Sequence, residues 1–141
     1  MDDRPHSSGS GSRVVFGLPK CFKNFLLSDA LFHVCLGRQW AGRDVLQGAV
    51  AYVSSEGISG LRRLFVAMRR HYGVEGKGVP FAFIPVMPDL GHASGDAEVL
   101  ITTVRAWLAQ IGNPPLRAIA LDTLARAMNG ADENATKDMV Y

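Results

Sequence analysis

The sequence has few cysteines, no long apolar run and little net charge, and each shortage narrows the possible functions. Only two cysteines occur in 141 residues, and the acidic, Gly/Ser-rich start lacks the apolar stretch of a secretory signal, so we expect a cytoplasmic, reducing location. The most apolar stretch, residues 25–36, is interrupted by polar and charged side chains, so we expect no membrane span. A formal net charge of +2 is too small to predict nucleic-acid binding from electrostatics alone.

The residues that are present describe a globular chain of ordinary composition. Hydrophobic residues make up 48% of the sequence and charged residues 20%, which argues against disorder and allows one domain with a buried core. Residues 1–12 are rich in Gly and Ser, and we interpret them as a flexible leader. The domain itself is predicted to cover residues 13–141.

Short apolar runs alternate with longer helical patterns along the domain. This alternation predicts βαβ units, and hence an α/β fold with a mainly parallel sheet flanked by helices. Pro85 removes a backbone donor, which pushes its strand towards the edge or the end of the sheet. The first helix is apolar on nearly every side, so we expect it to be buried on most sides. The predicted strands are residues 14–16, 49–54, 81–86 and 116–121, and the predicted helices are residues 24–36, 58–72 and 95–111.

The chain is organised around residues 14–27, VVFGLPKCFKNFLL, in which a short strand, a tight turn, a lysine and a helix follow in order. The backbone N–H groups of such a loop, the helix N-terminus and the lysine can together bind the phosphates of a nucleotide. The pattern G-x-x-x-x-G-K-S/T fits in part. Gly17 and Lys23 are in place, but Phe22 replaces the second glycine and Asn24 replaces the hydroxyl residue. The candidate nucleotide-binding residues are Gly17, Pro19, Lys20, Cys21, Phe22, Lys23 and Asn24.

Two carboxylates follow apolar strands, Glu56 after the second predicted strand and Asp122 after the fourth. Since ligands of open parallel sheets bind beyond the C-terminal ends of the strands, we expect both carboxylates beside the loop. In a nucleotide hydrolase, Lys23 would neutralise the β- and γ-phosphates, and Glu56 would orient and deprotonate the attacking water. Asp122 and Asn24 would hold Mg²⁺. Simpler alternatives stay open: a solvated Lys23, a solvated Glu56 at a strand–helix junction, and Asp122 as a helix N-cap.

Other noticeable side chains receive structural interpretations. Cys35 is predicted to be a small core residue, and Cys21 an incidental loop cysteine. The histidines have no partners at metal-ligand spacing, so we expect no metal beyond Mg²⁺ carried by the nucleotide. Arg126 could contact nucleotide, a neighbouring subunit or an acidic side chain, and neither it nor the acidic segment at residues 130–138 is assigned a role. We prefer a solvated helix face to a nucleic-acid interface for Arg62, Arg63, Arg69 and Arg70, and packing roles for Trp40, Tyr52 and Trp107.

Several blocks of the sequence resemble the RecA-like AAA-family ATPases related to the hexameric replicative helicase RepA of plasmids and phages. The blocks are FGLPKCFKNFL, LGRQWAGRDV, GAVAYVSSEG, RAIALDTLARAM and GADENATKDM, and the resemblance runs along nearly the whole domain. It implies a RecA-like P-loop core, ATP and Mg²⁺ as ligands, assembly of identical subunits into a ring, and action on DNA in replication. It also implies that Glu56 is the catalytic glutamate and that Asp122 ends the Walker B strand.

The chain departs from this family in the loop and at its end. Phe22 stands where the missing Cβ of glycine lets the loop close around phosphate, and Asn24 offers an amide oxygen in place of a hydroxyl. The sequence ends 19 residues after Asp122, so we expect the domain to be incomplete at its C-terminus. Two alternatives to an ATPase therefore stay open. One is a nucleotide-binding or assembly module without turnover, and the other is a non-functional truncated copy with an exposed sheet edge.

Overall fold

The computed structural model describes residues 11–13, 15, 22–123 and 127–128 of the chain. Helices and strands alternate along it, as predicted. Each helix agrees with its predicted bounds to within one residue at either end, and the second and fourth predicted strands are present as β1 and β3. In chain order the elements are α1 (Lys23–Leu36), β1 (Ala49–Ser54), α2 (Ile58–His71), β2 (Phe81–Ile84), α3 (Asp96–Gln110) and β3 (Leu116–Asp122).

The three strands form one parallel sheet in the order β2-β1-β3, so β1 lies in the middle. All six residues of β1 are buried, because a central strand of a parallel sheet is paired on both edges and covered on both faces. In the register of β1 with β3, Ser54 lies opposite Asp122. The C-terminal ends of these two strands therefore meet at one edge of the sheet. The predicted α/β fold with a parallel sheet and flanking helices is confirmed.

β2 lies at one side of this sheet and ends at Ile84, directly before Pro85. Proline has no N–H group to continue the ladder of hydrogen bonds, which accounts for the end of the strand and suits its outer position. The prediction about Pro85 is confirmed, although β2 has four residues and ends two residues before the predicted end at position 86.

α1 runs antiparallel to the strands along the length of the sheet. Near its C-terminal end, the Val34 carbonyl accepts a hydrogen bond of 3.2 Å from the N–H of Gly48. The Cys35 thiol donates one of 3.4 Å to the Pro80 carbonyl. Gly48 and Pro80 directly precede β1 and β2. The 14 residues of α1 rise about 21 Å, and a six-residue strand spans about 20 Å. The first turn of α1 therefore lies at the C-terminal edge of the sheet.

The core between α1, α2 and β2 consists of aromatic and aliphatic side chains. Phe32 of α1 and Met68 of α2 are at its centre and almost fully buried, together with Val74 after α2. This packing fixes α1, and therefore its first turn, relative to the strand ends. The partly buried side chains around the centre are Leu36, Leu64, Phe65, Tyr72, Val79 and Phe81.

Cys35 lies on the buried side of α1, and its predicted role as a small core residue is confirmed. Its side chain is 2% exposed. Burial raises the pKa of the Cys35 thiol to about 12, while a hydrogen bond with the Val50 backbone acts in the opposite direction with a smaller effect. The thiol is therefore neutral and unreactive at physiological pH. Cys21 lies outside the described residues.

A buried strand was predicted at residues 14–16, of which the structure describes only Val15. At Val15 the prediction is wrong. Val15 lies outside any strand, and its side chain is 53% exposed. A run of three apolar residues offers too few hydrogen bonds to fix a strand by itself. Residues 14 and 16 lie outside the described part of the chain.

α1 is less buried than its composition predicts. Phe25 and Leu26 are 52% and 54% exposed, so the prediction of a helix buried on most sides is wrong. A helix that lies on a sheet buries one stripe, and in α1 this stripe is Ser28, Phe32 and Cys35. Over the described ranges, neither α1 nor any other helix is long and apolar enough to cross a membrane.

Candidate functional site

Asp122 is the last residue of β3, and its carboxylate is held from β1. Its Oδ2 atom accepts a hydrogen bond of 2.9 Å from the Tyr52 hydroxyl. Tyr52 lies opposite Ala120 in the parallel register, and side chains two positions apart on a strand share a face. Tyr52 and Asp122 therefore lie on the same side of the sheet. The Asp122 side chain is half-buried, which suits a carboxylate that binds a cation at the sheet edge.

Tyr52 itself is completely buried among aromatic rings. Its ring stacks on Phe81 with a centroid distance of 6.2 Å and on Phe83 with one of 6.0 Å. Burial raises the pKa of the Tyr52 phenol far above its ordinary value, and the charge of Asp122 and the hydrogen bond to it add to the rise. The Ser28 hydroxyl opposes part of it. Tyr52 is therefore a neutral hydrogen-bond donor at physiological pH.

Glu56 follows β1 in a tight turn at the same edge of the sheet. The buried Ser54 hydroxyl donates a hydrogen bond of 3.1 Å to the Glu56 carbonyl and accepts one of 3.3 Å from the Glu56 N–H. Gly57 comes next with a φ of 61°, which glycine adopts without strain, and α2 begins directly after it. The backbone of Glu56 is thus fixed at the strand end, while its side chain is exposed.

α1 begins at a helix end that receives no side-chain cap from the described residues. Phe22 at the N-cap has a left-handed backbone with φ 60° and ψ 18°, and its ring is 80% exposed. Lys23 and the exposed Asn24 open the helix, and its first turn has no acidic residue. Uncapped N–H groups, the positive end of the helix dipole and a lysine all favour an anion. Four of the seven candidate nucleotide-binding residues lie outside the described residues: Gly17, Pro19, Lys20 and Cys21.

These features lie towards the C-terminal edge of the sheet. β1 and β3 bring Glu56 and Asp122 there, and the antiparallel course of α1 brings Lys23 towards the same edge. Ser28, in the second turn of α1, acts on the Tyr52 phenol, so α1 adjoins the β1–β3 pair close to Asp122. The fold therefore places the start of α1 and the two carboxylates at one edge, while the chemical roles of these residues stay predictions.

The side chains at this edge fit a cation that arrives with phosphate groups. In the part of the chain that the structure describes, no group of three or more His, Cys, Asp or Glu side chains is placed to hold a metal ion. Mg²⁺ in nucleotide sites takes one or two protein carboxylates and completes its coordination with phosphate oxygens and water. Asp122 is a carboxylate of this kind, and the uncapped N–H groups at the start of α1 are of the kind to which phosphate binds.

The contact between Tyr52 and Asp122 was not predicted from the sequence, whereas the packing role predicted for Tyr52 is confirmed. The two residues are 70 positions apart, and their contact depends on the register of two strands that are not adjacent in the chain. One signal was available. A tyrosine in an otherwise aliphatic buried strand needs a hydrogen-bond partner for its hydroxyl.

A second polar cluster, centred on Asp29 of α1, has a structural role. The Asp29 carboxylate accepts hydrogen bonds from the Trp40 indole N–H, at 3.1 Å, and from the Tyr72 hydroxyl. His33 Nδ1 lies 2.7 Å from the Asp29 carbonyl oxygen. Burial, followed by the hydrogen bond and the charge of Asp29, raises the pKa of Tyr72 to about 12. The cluster ties α1 to the loop that follows it and to the end of α2.

A parallel sheet with an uncapped helix start and two carboxylates at its C-terminal edge has the architecture of a P-loop nucleotide-binding core. The family model described as an AAA domain matches residues 6–141, and the chain belongs to this family. No curated protein and no solved structure matches the chain. The predicted membership in the AAA family is confirmed, whereas the closer relation to RepA-type helicases stays a prediction.

Proposed function

We propose that the chain is an ATP-binding AAA domain whose nucleotide site lies between the start of α1 and the C-terminal ends of β1 and β3. One observation carries this proposal: Tyr52 holds the half-buried Asp122 carboxylate at the edge where the uncapped end of α1 lies. A magnesium–nucleotide complex requires this pairing of an anion-binding helix end with a cation-binding carboxylate. Membership in the AAA family supports the same assignment.

The side chains at this edge have the chemistry for distinct roles. Lys23 places a positive charge at the phosphates. Asp122 would hold Mg²⁺ directly or through water, and the Asn24 amide oxygen would take the place of the hydroxyl ligand of the usual pattern. Mg²⁺, when bound, offsets the negative charge of the phosphates. Glu56, exposed after β1, orients a water molecule and takes up its proton.

A finer part of the proposal is action on DNA in replication by a ring of identical subunits. It is supported by the resemblance of the sequence blocks to RepA-type helicases. The block GAVAYVSSEG forms β1 and the turn with Glu56, and the start of RAIALDTLARAM forms most of β3 with Asp122. Two of the five blocks that support this part of the proposal therefore build the edge of the sheet.

A second candidate function is a nucleotide-binding or assembly module that does not hydrolyse ATP. The left-handed Phe22, with its ring exposed directly before α1, favours it. The amide of Asn24 in place of a hydroxyl also favours it, because its reach to Mg²⁺ differs. Both features affect the loop and leave Lys23 and Asp122 in place. The two candidate functions therefore agree on nucleotide binding and differ on turnover.

Replacing Glu56 by glutamine separates these candidates. Glutamine keeps the size of the side chain but cannot take up a proton, so we expect Mg²⁺-dependent phosphate release from ATP to fall about 100-fold or more while ATP binding is kept. Glu75→Gln is the control, because Glu75 pairs with Arg70 on the surface after α2, and it should release phosphate like the wild type. Equal release by Glu56→Gln and wild type would contradict the catalytic role of Glu56. A wild-type protein that binds ATP without releasing phosphate would favour the second candidate.

A further inference from the structure

The ring of Tyr52 is enclosed by other aromatic side chains, and this packing fixes the direction in which its hydroxyl points. The side chain is 0% exposed, and its ring lies nearly parallel to those of Phe81 and Phe83, with interplanar angles of 23° and 12°. Phe65 of α2 contacts it edge-on at a centroid distance of 6.3 Å. Close packing of this kind holds a side chain in one rotamer on the time-average. The phenol oxygen therefore stays at one position on the central strand.

This fixed hydroxyl has the Asp122 carboxylate as its partner. Oδ2 accepts the hydrogen bond at 2.9 Å, and within the described residues the carboxylate has no other hydrogen bond. The bond restricts rotation of the carboxylate and leaves Oδ1 as the oxygen that can bind a cation. A half-exposed carboxylate without such a partner would turn freely and be hydrated on both oxygens.

Ser28 connects this pair to the helix that begins at the proposed phosphate site. Its side chain is 0% exposed, and its hydroxyl has no hydrogen bond of normal geometry with the described residues. It nevertheless lies close enough to act on the Tyr52 phenol. Side chains from α1, β1 and β3 thus lie close to one buried phenol, and Asp122 is bonded to that phenol directly.

We propose that Tyr52 is a positioning residue, which orients Asp122 for the Mg²⁺ ion that binds with the nucleotide. The inference rests on the proposed function. Tyr52 does not reach the reacting atoms, and it acts through Asp122 alone. When a hydrogen bond that orients a metal ligand is removed by mutation, the affinity for the metal typically falls 10- to 100-fold. The hydroxyl of Tyr52 is therefore expected to contribute to the effect of Mg²⁺ on nucleotide binding, and not to nucleotide binding without Mg²⁺.

The test is the substitution Tyr52→Phe, which keeps the stacked ring and removes only the hydroxyl. The affinity for a fluorescent ATP analogue is measured in EDTA and over a series of Mg²⁺ concentrations, with the melting temperature recorded to show that each variant is folded. We expect Tyr52→Phe to match the wild type in EDTA and to need about tenfold more Mg²⁺ for the same strengthening. Tyr72→Phe is the matched control, because it removes a hydroxyl that is bonded to a different carboxylate, Asp29. It should behave like the wild type in both conditions.

The outcomes distinguish this inference from the proposed function. A Tyr52→Phe variant with the Mg²⁺ dependence of the wild type would overturn the positioning role and leave the nucleotide site in place. An equal loss in EDTA and in Mg²⁺ would also overturn it, because a general structural defect weakens binding in both conditions. A folded wild-type protein whose binding does not respond to Mg²⁺ would overturn the inference together with the magnesium part of the proposed function.

Discussion

Replacing Gly48 by alanine is expected to reduce the free energy of unfolding by about 2 kcal/mol or more. Gly48 directly precedes β1, and a Cβ atom there would overlap the Pro115 carbonyl oxygen and the side chain of Arg117. Arg117 can move, but the Pro115 carbonyl is backbone and accepts a hydrogen bond of 2.8 Å from the Ala49 N–H. Relieving the overlap therefore requires the starts of β1 and β3 to separate. We expect the melting temperature to fall by roughly 5–10 °C.

Gly60→Ala is the control for this prediction. Gly60 lies in α2, and a Cβ atom there would meet no other atom within 4 Å. Alanine favours a helix over glycine by about 0.5–1 kcal/mol, so this variant should be slightly more stable than the wild type. Thermal or urea denaturation of the three proteins checks the pair. Equal melting temperatures for Gly48→Ala and the wild type would show that the two strands do not approach each other this closely.

Replacing Phe22 by glycine is expected to strengthen binding of ATP about tenfold, which corresponds to about 1.4 kcal/mol. Glycine adopts the left-handed backbone at position 22 without the strain of about 1 kcal/mol that phenylalanine has there, so the substitution should not destabilise the start of α1. The ring is 80% exposed, so its removal sacrifices little burial. It also removes a bulky group next to the N–H groups at the start of α1, which is where phosphate would approach.

Phe25→Ala is the matched control, because Phe25 is a second exposed aromatic residue, one turn further along α1. It should bind the ATP analogue with the affinity of the wild type. The double variant Phe22→Gly, Asn24→Thr also restores the hydroxyl of the usual pattern. If this variant hydrolyses ATP and the wild type does not, the result favours the non-hydrolysing candidate function for the natural sequence. Unchanged affinity in Phe22→Gly would show that the ring does not hinder the nucleotide.

The positions of the helices and of the longer strands could be predicted from the sequence because strong local signals mark them. Gly37 ends α1 in a left-handed conformation with φ 68°, and Pro85 ends β2. The burial of α1 could not be predicted, because apolar side chains on all sides do not show which of them a neighbour covers. Phe25, for example, is apolar but half-exposed, because no neighbouring element covers it fully. Three apolar residues at positions 14–16 were also too short a run to specify a strand.

The candidate site was predictable at the level of the sheet edge, but its internal contacts were not. A parallel sheet places the residues after its strands together, so Glu56 and Asp122 could be assigned to one edge from the pattern alone. The hydrogen bond between Tyr52 and Asp122 depends on the register of β1 with β3 and on aromatic packing from β2. The register of β1 with β3 is hard to predict because no tight turn joins these strands and fixes it, since α2, β2 and α3 lie between them in the chain.

Titration with a fluorescent ATP analogue, with and without Mg²⁺, tests the proposed nucleotide site most directly. We expect saturable binding that Mg²⁺ strengthens and that Lys23→Ala weakens at least about tenfold, because the substitution removes a charge at the phosphates. Lys77→Ala, which removes an exposed lysine after α2, should bind like the wild type. Absence of saturable binding in folded protein, or equal affinity of Lys23→Ala and the wild type, would contradict a nucleotide site at the start of α1.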